Sequence, residues 1–299
     1  MNQDLFHDAN ALLASPAQAT PPTRRDWLKT AVGVGYAAAC LPVMSQTAIR
    51  TSGDGLLHGE VMIDVNGFQM PAYRSMPQGK QACPVVLVVS EIFGVHEYIA
   101  DVTRRLAHQG YLAIAPELML RQGDPASYGE IGKLMTEVVA KVPDAQVMGD
   151  LDACVAWAGQ HGGDATQLSV TGFCWGGRIT WLSATLPQVK AGVAWYGRLI
   201  GEKTEGNPRH PVDLAAELKA PVLGLYGSAD TGIPVESVEQ MKAALTAAKN
   251  NKAAQAASFE IYPDAPHAFH ADYRPTYREA PAKDGWAKCV AWFKQQGVV

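Results

Sequence analysis

The chain has 299 residues, of which 47% are hydrophobic and 18% are charged, and its formal net charge is −4. This composition is typical of a globular protein with enough apolar residues for a large core. The mild acidity and the absence of a basic stripe argue against a nucleic-acid-binding protein.

The first 48 residues are predicted to be an export signal. Arg24 and Arg25 precede a modestly apolar run over residues 31–44, and small residues follow near residues 45–48. A bilayer-spanning helix takes about 20 residues, so this run is too short to be one. The arrangement resembles a twin-arginine signal, which predicts recognition by export machinery and a periplasmic or secreted protein. A disordered tail with an incidental Arg-Arg pair, on a cytoplasmic protein, is the alternative.

Residues 49–299 are predicted to form one α/β domain with a doubly wound, mostly parallel sheet. The turn Asn66-Gly67 predicts an N-terminal β-hairpin, and the β-branched run over 84–90 predicts a central parallel strand. Strands and helices then alternate, as they do in sheets covered on both faces. The predicted strands cover residues 57–65, 68–74, 84–90, 111–116, 167–171, 191–196, 221–226 and 258–262. The predicted helices cover residues 95–110, 127–142, 145–161, 178–184, 235–248 and 280–296.

Five cysteines, Cys40, Cys83, Cys154, Cys174 and Cys289, are scattered along the chain. They form no C-x-x-C pair and no cluster with histidine, so neither a metal site nor a disulfide framework is expected, and no cofactor is indicated. Cys83, Cys154 and Cys289 lie in apolar sequence, which predicts buried and unreactive thiols. Cys40 lies inside the predicted signal, in a poor match to a lipoprotein attachment site.

Cys174 lies at the centre of a G-x-C-x-G pattern between Gly172 and Gly176. This is the spacing of a nucleophile elbow with cysteine in place of serine, and it joins the strand 167–171 to the helix 178–184. Because the turn is sharp, only small residues fit two positions before and after its centre. The turn raises the sulfur to a helix N-terminus, whose partial positive charge favours the thiolate. A small residue of the core is the alternative role for this cysteine.

An elbow nucleophile needs a histidine base and an acid that orients it, in the chain order nucleophile, acid, histidine. Asp230 follows the strand 221–226, and His267 follows the strand 258–262. Both therefore lie at carboxyl ends of strands, on the same edge of the sheet as Cys174. His267 is predicted to take the thiol proton and Asp230 to hold the imidazole. Cys174 would attack an acyl carbon, and water would clear the resulting thioester.

Two other residues compete for these roles. His270 lies in the same loop as His267, but His267 is closer to the end of the strand. Asp264 competes with Asp230, although it also suits a cap of the turn before Pro266. Asp230 follows a separate strand and is the preferred orienting acid.

The backbone N–H groups of Ile92 and Trp175 are predicted to form an oxyanion hole. Trp175 follows the nucleophile, and Ile92 lies in the turn after the strand 84–90. Glu91 precedes Ile92, and a carboxylate at the end of a buried strand is costly unless it is paired or used. A salt bridge to Arg121 is the structural alternative to a functional role.

The rim of the pocket is predicted to include Trp175, Trp195 and Tyr196, which follow strand ends or the elbow. For Trp195, packing in the core beneath the sheet edge is the alternative. A polar loop over 201–211 is expected to flank the pocket.

Six short motifs, in the same order, resemble the dienelactone hydrolase family over nearly all of residues 57–297. They are SEIFGV (90–95), APELMLRQ (115–122), GFCWGG (172–177), AWYG (194–197), GSAD (227–230) and PHAF (266–269). The resemblance implies an α/β-hydrolase fold and a catalytic triad of Cys174, Asp230 and His267. It also implies that Glu91 interacts with the thiol and helps to deprotonate it when substrate arrives.

The family opens a dienelactone, a cyclic ester with a carboxylate, to maleylacetate, and it places arginines against that carboxylate. The resemblance implies that Arg121 is one of them. The second family arginine lies four residues after the histidine, where this chain has Ala271. Arg198 or Arg274 is expected to substitute for it. The expected partner is thus a small ester or lactone, which is anionic where these arginines recognise it.

The leading hypothesis is a hydrolase of lactones or other activated, enol-type esters. A broad-specificity carboxylesterase or thioesterase is the alternative within the same class. A binding protein without enzymatic activity, or a thiol redox sensor, is the alternative of another class. Redox sensors often carry a second cysteine beside the reactive one, and this chain has none near Cys174 while it retains Asp230 and His267.

Overall fold

The computed structural model describes residues 48–299, in which eight strands form a single sheet. The strands are β1 (Leu56–Val65), β2 (Phe68–Pro77), β3 (Cys83–Val89), β4 (Leu112–Pro116), β5 (Gly163–Phe173), β6 (Val189–Trp195), β7 (Val222–Gly227) and β8 (Ser258–Tyr262). The helices are α1 (Glu97–His108), α2 (Ile131–Glu137), α3 (Asp144–Gln160), α4 (Trp175–Ser183), α5 (Val235–Ala247), α6 (Lys252–Ala256) and α7 (Glu279–Gln295). Short 3-10 helices cover Pro125–Ser127, Val139–Lys141 and Pro211–Glu217.

The order of the strands across the sheet is β1-β2-β4-β3-β5-β6-β7-β8. β1 and β2 form the predicted antiparallel hairpin, and β2 pairs antiparallel with β4. Asn66 and Gly67 in the hairpin turn have φ angles of 53° and 87°, as a two-residue turn of this kind requires. The other neighbouring pairs are parallel. The prediction of a mostly parallel sheet with an N-terminal hairpin is therefore confirmed.

The sheet has a topological switch point between β3 and β5. The chain crosses from β3 to β4 on one side, and then returns past β3 to build β5, β6, β7 and β8 on the other. Every residue of β3 is buried, as the unbroken apolar run predicts. Ligands of open α/β sheets bind outside the carboxyl ends of the strands at such a point. The turns after β3 and β5 carry Glu91, Ile92 and Cys174, so these residues lie at the crevice where a ligand is expected to bind.

The predicted helix over 127–142 is wrong in its extent. The segment holds only the short helix α2 between two 3-10 turns, and the chain leaves α2 at Val138. Gly132 and the β-branched pair Val138-Val139 have low helix propensity, and Pro143 stops any continuation. The sequence pattern did not predict α6 or the 3-10 helix Pro211–Glu217.

The predicted export signal, with Cys40 inside it, lies outside the described residues except for Ala48, and it stays a prediction. Within residues 48–299, no helix is long and apolar enough to cross a membrane. The prediction that Cys83, Cys154 and Cys289 are buried is confirmed.

Candidate active site

Cys174 occupies a strained turn between β5 and α4. Its φ and ψ angles are 55° and −114°, and only 4% of the residue is exposed. Positive φ is unfavourable for residues other than glycine and persists only where the surroundings enforce it. Here the Cys174 N–H donates to the Trp195 carbonyl at 3.0 Å, and the Cys174 carbonyl accepts from Gly177 N–H at 2.9 Å. The sulfur is therefore carried on a backbone turn that is fixed on both sides.

The glycines around Cys174 are required by close approach of the backbone. A Cβ on Gly172 would lie 2.1 Å from the Gly176 carbonyl oxygen, and one on Gly176 would lie 2.2 Å from the Val89 carbonyl oxygen. A Cβ on Gly177 would lie 2.6 Å from the Trp195 carbonyl oxygen. The elbow thus packs directly against the end of β3, which brings the turns after β3 and β5 together.

Asp230 and His267 form a buried pair at the ends of β7 and β8. Nδ1 of His267 donates to Oδ2 of Asp230 at 2.7 Å. The other carboxylate oxygen accepts the backbone N–H groups of Gly232 and Ile233 at 2.9 and 3.0 Å. Since Nδ1 is hydrogen-bonded to the carboxylate, Nε2 is the ring nitrogen that can accept or donate a proton in a reaction.

The Cys174 sulfur also acts on His267. Burial lowers the pKa of His267, but the Asp230 carboxylate and the Cys174 sulfur outweigh burial and raise it well above its usual range. Nε2 of His267 has no hydrogen-bond partner within residues 48–299, so the sulfur acts on the ring through its charge. Hydrogen bonds between catalytic groups often tighten only when substrate is bound.

His270, the competing histidine, has different neighbours. Its Nδ1 lies 2.6 Å from the Tyr98 hydroxyl, and its ring centroid lies 4.3 Å from that of Trp195 and 5.4 Å from that of Phe173. Burial, together with the charge of Arg105, lowers the pKa of His270 well below its usual range. A histidine held neutral among aromatic rings is not the partner of Asp230.

Asp264, the competing acid, lies in an exposed turn after β8. Its φ angle is 56°, and its backbone N–H donates to the Ser228 hydroxyl at 2.9 Å. This is the turn-forming position that the sequence offered as its alternative role.

The N–H groups proposed for the oxyanion hole are uncommitted. Neither the Ile92 nor the Trp175 N–H donates a hydrogen bond within residues 48–299. Ile92 is 3% exposed, so its N–H is not satisfied by bulk water. Trp175 is the first residue of α4, where a helix leaves N–H groups without intrahelical acceptors.

Glu91 is completely buried beside this elbow. Its Oε2 accepts a hydrogen bond from the Tyr273 hydroxyl at 2.8 Å and lies 3.5 Å from Nε2 of His96. Its Oε1 has no hydrogen-bond partner within the described part of the chain. Burial by itself raises the pKa of Glu91, but His96, Arg274 and the Tyr273 hydroxyl outweigh burial and lower it.

Arg121 does not form the salt bridge with Glu91 that was considered as an alternative. It pairs with the buried carboxylate of Asp150 at 2.7 Å, and its guanidinium lies 4.1 Å from the centroid of the Phe68 ring. These contacts hold it beyond the end of β4, and its role in substrate binding stays a prediction.

The two other arginines lie in different places. Nε of Arg274 donates to the Tyr273 hydroxyl at 2.9 Å, and its guanidinium lies 4.8 Å from the Phe93 ring centroid. Burial lowers the pKa of Arg274, but Tyr273, Glu91 and Cys174 raise it overall, so this cation lies in the field of the elbow. Arg198 instead lies beside Gly201, whose Cβ would be 3.3 Å from its Cδ.

Tyr196 packs against the proposed base. Its ring meets the His267 ring edge to face, with centroids 5.1 Å apart, and its φ angle is 39°. Burial raises the pKa of Tyr196 well above its usual range, and Tyr98, Glu91 and Cys174 add to the rise. Trp195 is completely buried, as its core alternative predicts.

Sequence reasoning missed His96 and Tyr273, two of the side chains that face Glu91. His96 precedes α1, and Tyr273 follows His267 by six positions. The signal that could have found them is the carboxylate itself, because a buried Glu91 requires polar partners from neighbouring loops. Within residues 48–299, no group of three or more His, Cys, Asp or Glu side chains is arranged to hold a metal ion.

A profile of the "Dienelactone hydrolase family" matches residues 70–297. The chain belongs to the dienelactone hydrolase family. It is therefore a hydrolase, and its sheet is that of the α/β-hydrolase fold, as expected from the motifs.

Relatives within the dienelactone hydrolase family span almost the whole chain. A protein of Methylorubrum extorquens named "Putative carboxymethylenebutenolidase" is 54% identical over 291 residues, which cover 97% of this chain and 98% of the relative. A Salmonella typhimurium protein of the same name is 55% identical over 265 residues, which cover 88% and 96%. A crystal structure titled "Putative Dienelactone Hydrolase" from Klebsiella pneumoniae is 56% identical, with a TM-score of 0.78, and covers 81% of this chain and 100% of its own.

Proposed function

We propose that this hydrolase opens lactones or other activated, enol-type esters through a Cys174-His267-Asp230 triad. The observation that carries the proposal is the buried His267–Asp230 pair, in which Nδ1 lies 2.7 Å from Oδ2. The Cys174 sulfur also raises the pKa of this imidazole. The raised pKa of His267 supports an imidazolium beside a thiolate, which is how cysteine nucleophiles are activated.

The first chemical step forms a thioester. His267 enters this step as an imidazolium, because its pKa is raised. The Cys174 thiol loses its proton to a neighbouring base, and the thiolate attacks the acyl carbon. The N–H groups of Ile92 and Trp175 stabilise the negative charge that develops on the acyl oxygen. When the carbon–oxygen bond of the ester breaks, the His267 imidazolium protonates the leaving oxygen. In a lactone this oxygen stays attached to the acyl group.

The second step releases the acid. His267 takes a proton from water, and the hydroxide adds to the thioester carbon. Collapse of this second tetrahedral intermediate expels the thiolate of Cys174. Asp230 holds the tautomer of His267 throughout and stabilises the imidazolium.

The choice of an activated ester follows from sulfur chemistry. A thiolate is a good nucleophile and also a good leaving group, so the tetrahedral intermediate returns to reactants unless the other group leaves easily. An enol ester satisfies this condition, because its enol part departs as a stabilised enolate, to which His267 then gives its proton. Amides and simple alkyl esters do not, and we expect weak activity on them.

The acyl part of the substrate is proposed to carry a carboxylate. The names of the relatives point to carboxymethylenebutenolide, a lactone with a carboxylate. Arg274 lies in the field of Cys174 and Glu91, and is our first choice to recognise that carboxylate, with Arg121 and Arg198 as further candidates. Tyr196 is proposed to form the wall of the pocket beside His267.

A broader carboxylesterase or thioesterase is the second candidate. It is favoured by Ala271, a buried residue where the family has its second arginine. Loss of that cation would relax the preference for anionic substrates.

A substrate panel tests the proposal on the purified full-length protein. The panel holds a dienelactone, neutral aryl and enol esters, a thioester and an amide, and Cys174→Ala is compared with the native chain. We expect kcat/KM for the dienelactone and enol ester to fall by about four to six orders of magnitude in the variant. A thioester on Cys174 should be trapped by mass spectrometry with a slowly released enol ester.

The results of this panel separate the candidates. A preference for neutral aryl esters over the dienelactone would favour the broader esterase. Hydrolysis that survives in Cys174→Ala, or the absence of any acyl-enzyme, would overturn the nucleophile.

A further inference from the structure

The Glu91 carboxylate is only half satisfied. Both of its oxygens are removed from water, yet Oε2 has a hydrogen-bond donor at 2.8 Å while Oε1 has none within residues 48–299. A buried carboxylate oxygen without a donor is costly, and such groups commonly have a functional reason. The two oxygens of Glu91 therefore differ in their hydrogen bonding, and only Oε1 is open to a further donor.

The donor to Oε2 is the Tyr273 hydroxyl, and the direction of its hydrogen bond is fixed. The same hydroxyl oxygen accepts Nε–H of Arg274 at 2.9 Å. A guanidinium can only donate, so the single hydroxyl hydrogen of Tyr273 is available to Glu91 alone. The two hydrogen bonds thus run in one direction, from Arg274 to Tyr273 and from Tyr273 to Glu91.

The Tyr273 ring is held by its neighbours, so its hydroxyl is held too. The ring meets His96 edge to face with centroids 5.0 Å apart, and lies 5.4 Å from the ring of Tyr98. The Arg274 guanidinium lies 5.0 Å from its centroid on the side of the loop. Packing from α1 and from the loop after β8 therefore fixes the donor.

The polar groups that interact with Glu91 come from three segments of the chain. They are His96 and Tyr98 near the start of α1, Tyr196 after β6, and Tyr273 and Arg274 after β8. Among these groups, His96, Arg274 and the Tyr273 hydroxyl keep the pKa of Glu91 low in spite of its burial. Glu91 is consequently an anion at neutral pH, as a proton acceptor must be.

We propose that Tyr273 is a positioning residue that binds Oε2 of Glu91 and so leaves Oε1 as the atom that takes the Cys174 thiol proton. The proposal rests on the hydrolase mechanism above and on the role in thiol deprotonation that the family resemblance implies for Glu91. What it adds is the part played by Tyr273. The sulfur–hydrogen bond breaks, an oxygen–hydrogen bond forms on Oε1, and the electron pair stays on sulfur. After the thioester is cleared, the expelled thiolate recovers this proton from Glu91.

Tyr273→Phe tests the assignment, because it removes one hydroxyl and keeps the ring. The measurement is the pH dependence of Cys174 alkylation by iodoacetamide in the free enzyme, together with that of kcat/KM for an enol ester. A hydrogen bond to a charged group is worth about one to two pKa units, so we expect the acid limb of both profiles to move up by about that amount. The rate at the plateau should change little, whereas structural damage would lower the plateau without moving the limb.

Two further variants make the test specific. Glu91→Gln should abolish this limb, and Tyr273→Phe should then cause no additional shift in the Glu91→Gln background. Tyr277→Phe removes a hydroxyl from the same loop that makes no contact with Glu91, and its profiles should match those of the native chain.

The outcomes separate this inference from the proposed function. An unshifted alkylation profile in Tyr273→Phe, or an equal shift in the Glu91→Gln background, overturns the role of Tyr273 even if the enzyme hydrolyses the ester. A chain that hydrolyses none of the panel loses its proposed function, while the alkylation profile still reports on Tyr273.

Discussion

His267 and His270 lie in one loop, three residues apart and equally buried, and their surroundings push them in opposite directions. Each is 2% exposed. The pKa of His267 is raised because Asp230 and the Cys174 sulfur outweigh burial, whereas the pKa of His270 is lowered by burial and a nearby arginine. Burial alone therefore does not decide the role of a histidine. The partner on its ring nitrogen does.

The fold separates the two histidines by a local backbone feature. Ala268, between them, has a φ angle of 58°. This left-handed residue turns the chain, so that His267 faces the end of β7 while His270 packs on Trp195 under the sheet edge. A regular helix or strand would have placed the two side chains in a fixed relation, and neither arrangement is present here.

The same contrast separates two fully buried carboxylates. Asp101 on α1 accepts hydrogen bonds from Arg104, Arg105 and both the N–H and hydroxyl of Thr51. Glu91 has one donor and an oxygen with none among the described residues. The first carboxylate is satisfied as a structural group is, and one oxygen of the second is not.

After the loss of Cys174, the largest effect should come from replacing the two histidines one at a time. We expect His267→Ala to lower kcat/KM for an enol ester by about three to four orders of magnitude, since members of a triad act as a unit. His270→Gln, the matched control, should change kcat/KM by less than about tenfold and lower the free energy of unfolding by about 1–3 kcal/mol through its bond to Tyr98. Steady-state kinetics and urea denaturation measure both. A comparable loss of activity in His270→Gln would reverse the assignment.

A smaller loss of kcat/KM is expected when the orienting acid, Asp230, is replaced. Asp230→Asn should lower kcat/KM by about two to four orders of magnitude, because the amide no longer stabilises the imidazolium of His267. Without that carboxylate the pKa of His267 falls, so alkylation of Cys174 should require a higher pH than in the native chain. Asp264→Asn, in the exposed turn after β8, is the control and should leave both measurements unchanged. Equal losses in the two variants would mean that neither acid acts through the histidine.

Much of this site could be predicted from the chain because it is encoded locally. The G-x-C-x-G spacing gave the elbow, since only glycine permits the contact of Gly172 with Gly176. The strand ends gave Asp230 and His267, because parallel strands deliver their carboxyl ends to one edge. The hairpin turn was equally local in origin, because Asn66-Gly67 marks it.

The rest depends on contacts between distant loops. Tyr273 lies 182 residues from Glu91, and its role is fixed by packing rather than by any motif. Arg121 carries a family motif, yet its pairing with Asp150 on α3 could not be read from spacing. Helix α6 begins after Asn251, whose side chain accepts from Ala254 N–H, but a run of five residues is too short to show a period.

The smallest expected effect is on the pH dependence of stability, and it has opposite signs for the two histidines. The folded pKa of His267 lies above its unfolded value of about 6.5, so its contribution is present below that pH and is lost as the pH rises through the folded pKa. The folded pKa of His270 lies below about 6.5, so stability is lost as the pH falls below 6.5, where only the unfolded chain takes up the proton. Each slope is limited to about 1.4 kcal/mol per pH unit.

Urea denaturation between about pH 5 and pH 9 separates these signs. Relative to the native chain, His267→Gln should be most destabilising near the acid end of this range and less so as the pH rises. The deficit of His270→Gln should instead shrink toward the acid end, because the variant no longer has a proton that only its unfolded state can bind. Deficits that change with pH in the same direction would show that the two histidines share one environment, and the distinction between base and core residue would be lost.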